Sequence, residues 1–164
     1  MAHEHAARLA RVRLLCLDVD GVLTDGNLYW SPGGIWSQRF SVRDGYGLKL
    51  LQQLGVHLCI LSGGDVRSGR DRAASLGIER AHFGLSDKLA VFSDVAGELG
   101  VSAEESAFIG DELVDLPLLE RVGFSATVPD AVDEVRARVH YVTKRRGGDG
   151  AVRELCDLIR THRK

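Results

Sequence analysis

Two aspartates, Asp18 and Asp20, stand one residue apart at the end of a short apolar run, Leu14-Leu15-Cys16-Leu17. Side chains alternate along a strand, so positions i and i+2 point to one side. A continuous apolar run reads as a strand buried on both faces, as in a parallel sheet. Both carboxylates then face one pocket at the strand's C-terminal end, where open α/β sheets bind ligands. Two adjacent anions repel unless a cation or a shared proton relieves them. Turn chemistry alone offers a plainer reading, a strand followed by an Asp-Gly turn. The remaining polar groups decide between the two.

Three further segments carry such groups at expected strand ends or helix starts. Ser62 and Gly63 follow the apolar run 56–61, Lys88 opens a helix, and Gly110-Asp111-Glu112 follows the run 106–109, with Asp115 one helical turn on. Taken singly, these are a strand-to-helix turn, a solvated lysine, a helix N-cap and a favourable charge at a helix N-terminus. Taken together and in this order, they describe a Mg²⁺-dependent phosphoryl-transfer site. Mg²⁺ takes oxygen ligands, usually few carboxylates with water and a phosphate oxygen. Asp18 and Asp111 fit that set, with the Asp20 backbone carbonyl as a further ligand. A carboxylate such as Asp18 can attack phosphorus to give an acyl phosphate. Its partner Asp20 can protonate the leaving alkoxide and later deprotonate water. The Ser62 hydroxyl and loop N–H groups such as that of Gly63 can hold phosphoryl oxygens. Lys88 adds positive charge where the transition state gathers negative charge.

The elements that must position these groups alternate. After the first strand, Ser31-Pro32-Gly33-Gly34 is a turn signal between two aromatic-rich runs. It predicts a β-hairpin of 28–30 against 35–40, with Trp30 and Trp36 packed across it. A two-stranded hairpin is not stable alone and must rest on the domain or on another subunit. Asp44 is the expected cap of a helix to 54, Asp65 of one to 76, Ser86 or Asp87 of one to 99, and Asp130 of one to 138. Ser102 to Glu105 forms a capping box. Strands are expected at 56–61, 78–83, 106–109, 123–128 and 140–142, and a last helix at 151–160 follows a flexible Gly-rich loop at 147–150. Strands alternating with helices predict an α/β fold, a doubly wound parallel sheet in a single domain over 13–164.

The 164 residues are 45% hydrophobic and 27% charged with a net charge of −2, an ordinary globular composition without a basic field for nucleic acid or an anionic membrane. No apolar run approaches the roughly 20 residues that span a bilayer. Residues 1–12 show no secretory pattern and are expected to fray, with His3 and His5 as terminal side chains rather than metal ligands. Cys16, Cys59 and Cys156 have neither metal spacing nor a disulfide framework, which predicts core thiols in a reducing cytoplasm.

The motif Asp18-Val19-Asp20-Gly21-Val22-Leu23-Thr24, with Ser62, Lys88 and Gly110-Asp111 through Asp115, resembles the four motifs of the haloacid dehalogenase superfamily of phosphatases. The resemblance implies Asp18 as nucleophile, Asp20 as acid/base, Asp111 as the Mg²⁺ ligand of the fourth motif, and Asp115 either hydrogen-bonding Lys88 or ordering metal-bound water. Stretches 18–26, 42–48, 71–78 and 141–155 more closely resemble the 3-deoxy-D-manno-octulosonate 8-phosphate phosphatase family, over about 13–159. That implies a haloacid dehalogenase fold without a large cap, the 27–40 hairpin as sole insertion, and a cytoplasmic homotetramer whose hairpins form a central barrel and close neighbouring sites. It also implies a substrate, an eight-carbon keto-sugar acid phosphate on the route to lipopolysaccharide. The family usually has Thr-Gly-Arg at the second motif, whereas Ser62-Gly63-Gly64 keeps the hydroxyl and lacks the guanidinium. A nine-carbon sialic-type acid 9-phosphate is the alternative substrate, and a catalytically silent oligomerisation or regulatory domain the alternative class. A phosphosugar mutase would need a cap for which the chain has no room. Thr24, Arg43, Lys88, Arg145 and Arg146 are the candidate substrate-binding residues, either arginine of the last pair holding the sugar acid's carboxylate. If the segment from 143 is a mobile cover, deleting everything after Tyr141 should impair turnover more than folding.

Overall fold

The computed structural model describes residues 2–163; the side chains of Ala2 and His3 lie outside that description, and so does the reading of His3. Along the chain come α1 (Ala2–Ala10), β1 (Leu14–Leu17), β2 (Tyr29–Trp30), β3 (Trp36–Ser37), α2 (Val42–Gln53), β4 (His57–Leu61), α3 (Arg67–Ser75), β5 (Ala81–His82) and α4 (Lys88–Leu99). Then follow β6 (Ser106–Ile109), α5 (Leu116–Leu119), β7 (Phe124–Thr127), α6 (Asp133–Arg136), β8 (Tyr141–Val142) and α7 (Ala151–His162). Six strands form one parallel sheet in the order β5-β4-β1-β6-β7-β8, and β2 pairs with β3 in a separate antiparallel hairpin. The chain runs outward from β1 through β4 to β5, then returns to β6 on the other side of β1. The crevice between β1 and β6 is therefore the topological switch point, where such sheets bind ligands beyond their strand ends.

Every residue of β1, β6 and β7 is buried, as expected for strands covered on both faces. The three cysteines are buried and unpaired, Cys16 lying beside Cys59 across β1 and β4. The hairpin forms where the turn signal places it. Ser31 and Gly34 close the turn, and Trp30 faces Trp36 with ring centroids 4.7 Å apart.

Several boundaries differ from expectation because the expected caps take other partners. Ser41, not Asp44, caps α2, its side chain accepting from Asp44 N. The Asp44 carboxylate instead reaches across to α7 and accepts from Arg153 N at 2.8 Å. Asp65 pairs with Arg70, so α3 begins after Val66 with no side-chain cap. Asp130 pairs with Arg146, and α6 is a single turn. Asp87 does cap α4, and Gly100 ends it in the left-handed conformation.

Both termini are more structured than expected. The anticipated frayed start is helix α1, which buries Leu9, packs on α7 and ties Arg8 to the Gly123 carbonyl. His5 stacks edge-on against Phe124. At the other end α7 packs along α2 and buries Val152, Leu155, Cys156 and Ile159. The loop at 147–150 is docked, with Gly148 N donating to Val22 O. Burial of each large aliphatic side chain contributes about 2 kcal/mol, against a total stability of about 5–15 kcal/mol. Truncation after Tyr141 removes this buried face, so a large loss of stability is expected alongside any loss of turnover.

Candidate active site

Strand β1 ends at Leu17, and Asp18 continues its line, donating its backbone N–H to Ile109 O of β6. The chain then turns tightly. Thr24 is fully buried, and its Oγ1 accepts from Gly21 N and Gly26 N, which folds 20–26 into a compact loop over the crevice. Thr24 thus holds the loop and does not face a ligand, contrary to its expected substrate contact. Gly21 has φ +78°, and a Cβ there would lie 2.0 Å from Asp111 Oδ2. Only glycine lets the loop from β1 and the carboxylate after β6 come this close.

Lys88, the first residue of α4, is buried between two carboxylates. Its Nζ lies 2.9 Å from Asp18 Oδ1 and 2.6 Å from Asp115 Oδ1. Asp115 Oδ2 accepts from the backbone N–H groups of Asp111 and Glu112 at 3.0 and 3.1 Å. Both oxygens of Asp115 are thereby engaged, and of the two roles open to it, hydrogen bonding to Lys88 is the one observed. Asp18 Oδ1 also accepts from Val19 N at 2.8 Å. These contacts fix its plane and leave Oδ2 as the oxygen that lacks both donors.

The charges are unbalanced. Carboxylate oxygens of Asp18, Asp111 and Asp115 come within 4.8 Å of one another, with one ammonium among them. Burial, reinforced by Asp115, pushes the Asp18 carboxyl up to about 6, although Lys88 opposes it. Burial, then the charges of Asp18 and Asp115, push Asp111 up to about 8. For Lys88 burial acts downward, but Asp18 and Asp115 outweigh it and hold the ammonium above its ordinary value. Three carboxylates against one ammonium leave the pocket two positive charges short. Its donors are all oxygen and hard, and the Asp111 carboxylate occupies the space over Gly21 beside Asp18. That set fits Mg²⁺, with Asp18 and Asp111 to hold it and Asp115 committed elsewhere.

The cleft of about 270 Å³ is lined by Asp18, Asp20, Gly63, Gly64, Lys88 and Asp111. Ser62 is buried at the end of β4 beside it. Asp20 extends one oxygen toward each wall. Oδ2 lies against Gly64, where a Cβ would stand 2.6 Å away, and Oδ1 accepts from Gln38 Nε2. Gln38 escaped the sequence reading, although a signal existed. Alternation puts Gln38 on the same face of the hairpin's return strand as Trp36 and Phe40, a polar residue on an otherwise apolar face.

The basic candidates lie elsewhere. Arg43 and Arg145 line a separate groove between α2 and α7, with Asp149, Arg153 and Glu154. Arg146 is exposed and pairs with Asp130 at 3.5 Å. The structure brings none of the three to this chain's own cleft.

A doubly wound sheet with four acidic residues and a buried lysine at its switch point defines a phosphoryl-transfer class of protein. Residues 83–155 match the family model described as haloacid dehalogenase-like hydrolase. The chain is 43% identical over 153 residues to the 3-deoxy-D-manno-octulosonate 8-phosphate phosphatase of Escherichia coli strain K12, covering 93% of this chain and 81% of that one. The crystal structure of the same-named phosphatase from Yersinia pestis superposes with a TM-score of 0.94 at 41% identity, over 97% of this chain and 86% of the other. The Moraxella catarrhalis enzyme, solved with magnesium, phosphate and KDO, superposes with a TM-score of 0.96 at 36% identity, over 99% and 94%. The chain belongs to the haloacid dehalogenase-like hydrolases and, among them, to the 3-deoxy-D-manno-octulosonate 8-phosphate phosphatase family.

Proposed function

We propose that this protein is a Mg²⁺-dependent phosphomonoester hydrolase acting on 3-deoxy-D-manno-octulosonate 8-phosphate through an aspartyl-phosphate intermediate. The observation that carries the reading is the buried Asp18–Lys88–Asp115 network at the β1/β6 crevice, with Asp111 alongside. Bound between Asp18 and Asp111, Mg²⁺ would offset their repulsion and draw charge from the phosphoryl oxygens.

The chain's own residues divide the remaining work. Asp18 Oδ2 attacks phosphorus as the bond to the sugar oxygen breaks, and Asp20 gives its proton to the departing alkoxide. Asp20 then takes a proton from the water that attacks the aspartyl phosphate, releasing phosphate and restoring Asp18. Lys88 holds Asp18 in line and stabilises charge on the transferring group. The Ser62 hydroxyl and the Gly63 N–H hold phosphoryl oxygens. Asp115 fixes Lys88 and the backbone of 111–112.

The eight-carbon substrate is supported by the names and ligands of the relatives. Gly64 leaves the second motif without a guanidinium, so this cleft offers less to a substrate carboxylate than the usual Thr-Gly-Arg. We further propose a cytoplasmic homotetramer joined by the hairpins, supported by the exposed Leu28, Trp30, Ile35 and Trp36 and by three unpaired cysteines. In such an assembly Arg145 of a neighbouring copy is a candidate for the sugar carboxylate. Among the described residues no helix is long and apolar enough to cross a membrane. The test is phosphate release from eight- and nine-carbon 3-deoxy-2-keto acid phosphates, with and without Mg²⁺. Faster Mg²⁺-dependent release from the eight-carbon ester supports the reading; preference for the nine-carbon ester overturns the substrate assignment.

A further inference from the structure

The hairpin is not only a surface feature, because one of its residues holds the group assigned to proton transfer. Gln38 follows β3 directly, and its half-buried amide sits between two partners. Nε2 donates to Asp20 Oδ1 at 2.5 Å, and Oε1 accepts from Ser68 Oγ at 3.1 Å. Ser68 lies in the first turn of α3, and Gly69 beside it keeps the helix close. A Cβ on Gly69 would stand 3.3 Å from Phe83 and 3.5 Å from Gln38 Oε1. The two bonds orient the amide, since an ionised carboxylate only accepts and a hydroxyl can donate.

We propose that Gln38 is a positioning residue for Asp20, and that it couples the seating of the hairpin to proton transfer in the cleft. The proposal rests on the phosphatase reading above. A carboxylate on a single strand-end residue is free to turn about its last torsion, and only some orientations place an oxygen toward the leaving group. With Oδ1 held by Gln38, Oδ2 is left on the cleft side against Gly64, and it is the oxygen that carries the proton. In the first step that proton passes from Oδ2 to the sugar oxygen as its bond to phosphorus breaks. In the second, Oδ2 takes a proton from the attacking water. Gln38 gains and loses none. Ser68 steadies the amide from behind, so the chain of contacts runs from α3 through the hairpin to Asp20.

A residue acting only through a general acid has a recognisable kinetic signature. Its loss slows esters whose alkoxide needs a proton to depart, and spares esters whose leaving group departs as a stable anion. The experiment compares kcat/KM of the full chain in Mg²⁺ for the eight-carbon sugar-acid phosphate and for 4-nitrophenyl phosphate, in wild type, Gln38→Leu and Ser68→Ala. Because kcat/KM reports steps through formation of the aspartyl phosphate, the later hydrolysis does not blur the comparison. Gln38→Leu is expected to lower the sugar-ester value by about 10- to 100-fold, a part of the 10²–10⁴ a general acid supplies, and the aryl-ester value by under about threefold. Ser68→Ala should show the same pattern, weaker. A double-mutant cycle makes the test independent of the aryl ester. In an Asp20→Asn background, Gln38→Leu should change the sugar-ester rate by less than about twofold. Equal losses on both esters, an unchanged sugar-ester rate, or a full Gln38→Leu effect without Asp20 would each overturn the proposal. A wild-type protein that releases no phosphate in Mg²⁺ would refute the phosphatase reading instead.

Discussion

The cleft and the hairpin solve opposite physical problems. In the cleft, charges are buried and over-determined. Lys88 is held by two carboxylates, Asp115 by three donors, and the loop carrying Asp20 by the Thr24 hydroxyl. In the hairpin, two strands of two residues carry Trp30 and Trp36 into solvent, with exposures of 60% and 49%. The cleft is rigid because each wrong arrangement leaves a buried charge unpaired, which is costly. The hairpin lacks such a penalty and needs another surface to define it. They meet at Gln38, where the loosely held element touches the tightly held one.

This contrast predicts a graded response to substitution. Asp115→Ala leaves the Lys88 ammonium buried with one partner and frees the backbone N–H groups of 111 and 112. A stability loss of about 3–5 kcal/mol is expected, with turnover down at least about 100-fold; denaturant titration and phosphate release check both. A loss under about 1 kcal/mol would mean the network is not over-determined. Gly21→Ala forces a side chain toward the Asp111 carboxylate at positive φ. It should weaken Mg²⁺ activation by at least about tenfold, read from the metal dependence of the rate. Trp30→Glu tests the other region. It should leave the melting temperature of the isolated chain nearly unchanged, as surface substitutions do, while sedimentation shows smaller assemblies. A large melting shift with unaltered assembly would show that the pair stabilises its own chain instead.

The smallest effect concerns Asp44, buried at the start of α7 with Oδ2 lacking a hydrogen-bond partner among the described residues. Burial pushes its carboxyl up to about 6 from an ordinary 3.8, against the Arg153 N–H that opposes it. The folded state therefore holds the proton more tightly than the unfolded chain. The stabilisation is fully present below pH ~4 and is lost as pH rises through about 6, a change of at most about 3 kcal/mol at roughly 1.4 per pKa unit. Asp44→Asn should flatten that part of the stability–pH curve; an unchanged slope would assign it to other groups.

The difference between the regions also explains what the sequence made legible. β1 and β6 could be read because strands buried on both faces are continuous apolar runs, and their ends carry Asp18 and Asp111. Lys88 at the start of α4 follows from Asp87 and Gly100, which are local signals. Features set by distant partners could not be read. Asp44 caps a helix 109 positions away, Arg8 anchors α1 through Gly123, and the basic cluster at 144–146 lies away from the cleft, with Arg146 beside Asp130. Thr24 was a candidate substrate contact, but its hydroxyl oxygen accepts from two loop N–H groups that only the folded loop brings to it. Gln38 was visible only as a polar residue on an apolar face, and its partner became evident once the hairpin was folded back over Asp20.

Asp18, held by Lys88 and Val19 at the β1/β6 crevice, is the proposed nucleophile. Phosphate release from the eight-carbon ester in Mg²⁺, compared between wild type and a folded Asp18→Asn, tests it most directly. At least about a thousandfold loss is expected, as for other nucleophile removals, with the far-ultraviolet spectrum unchanged. Full activity in Asp18→Asn would contradict it.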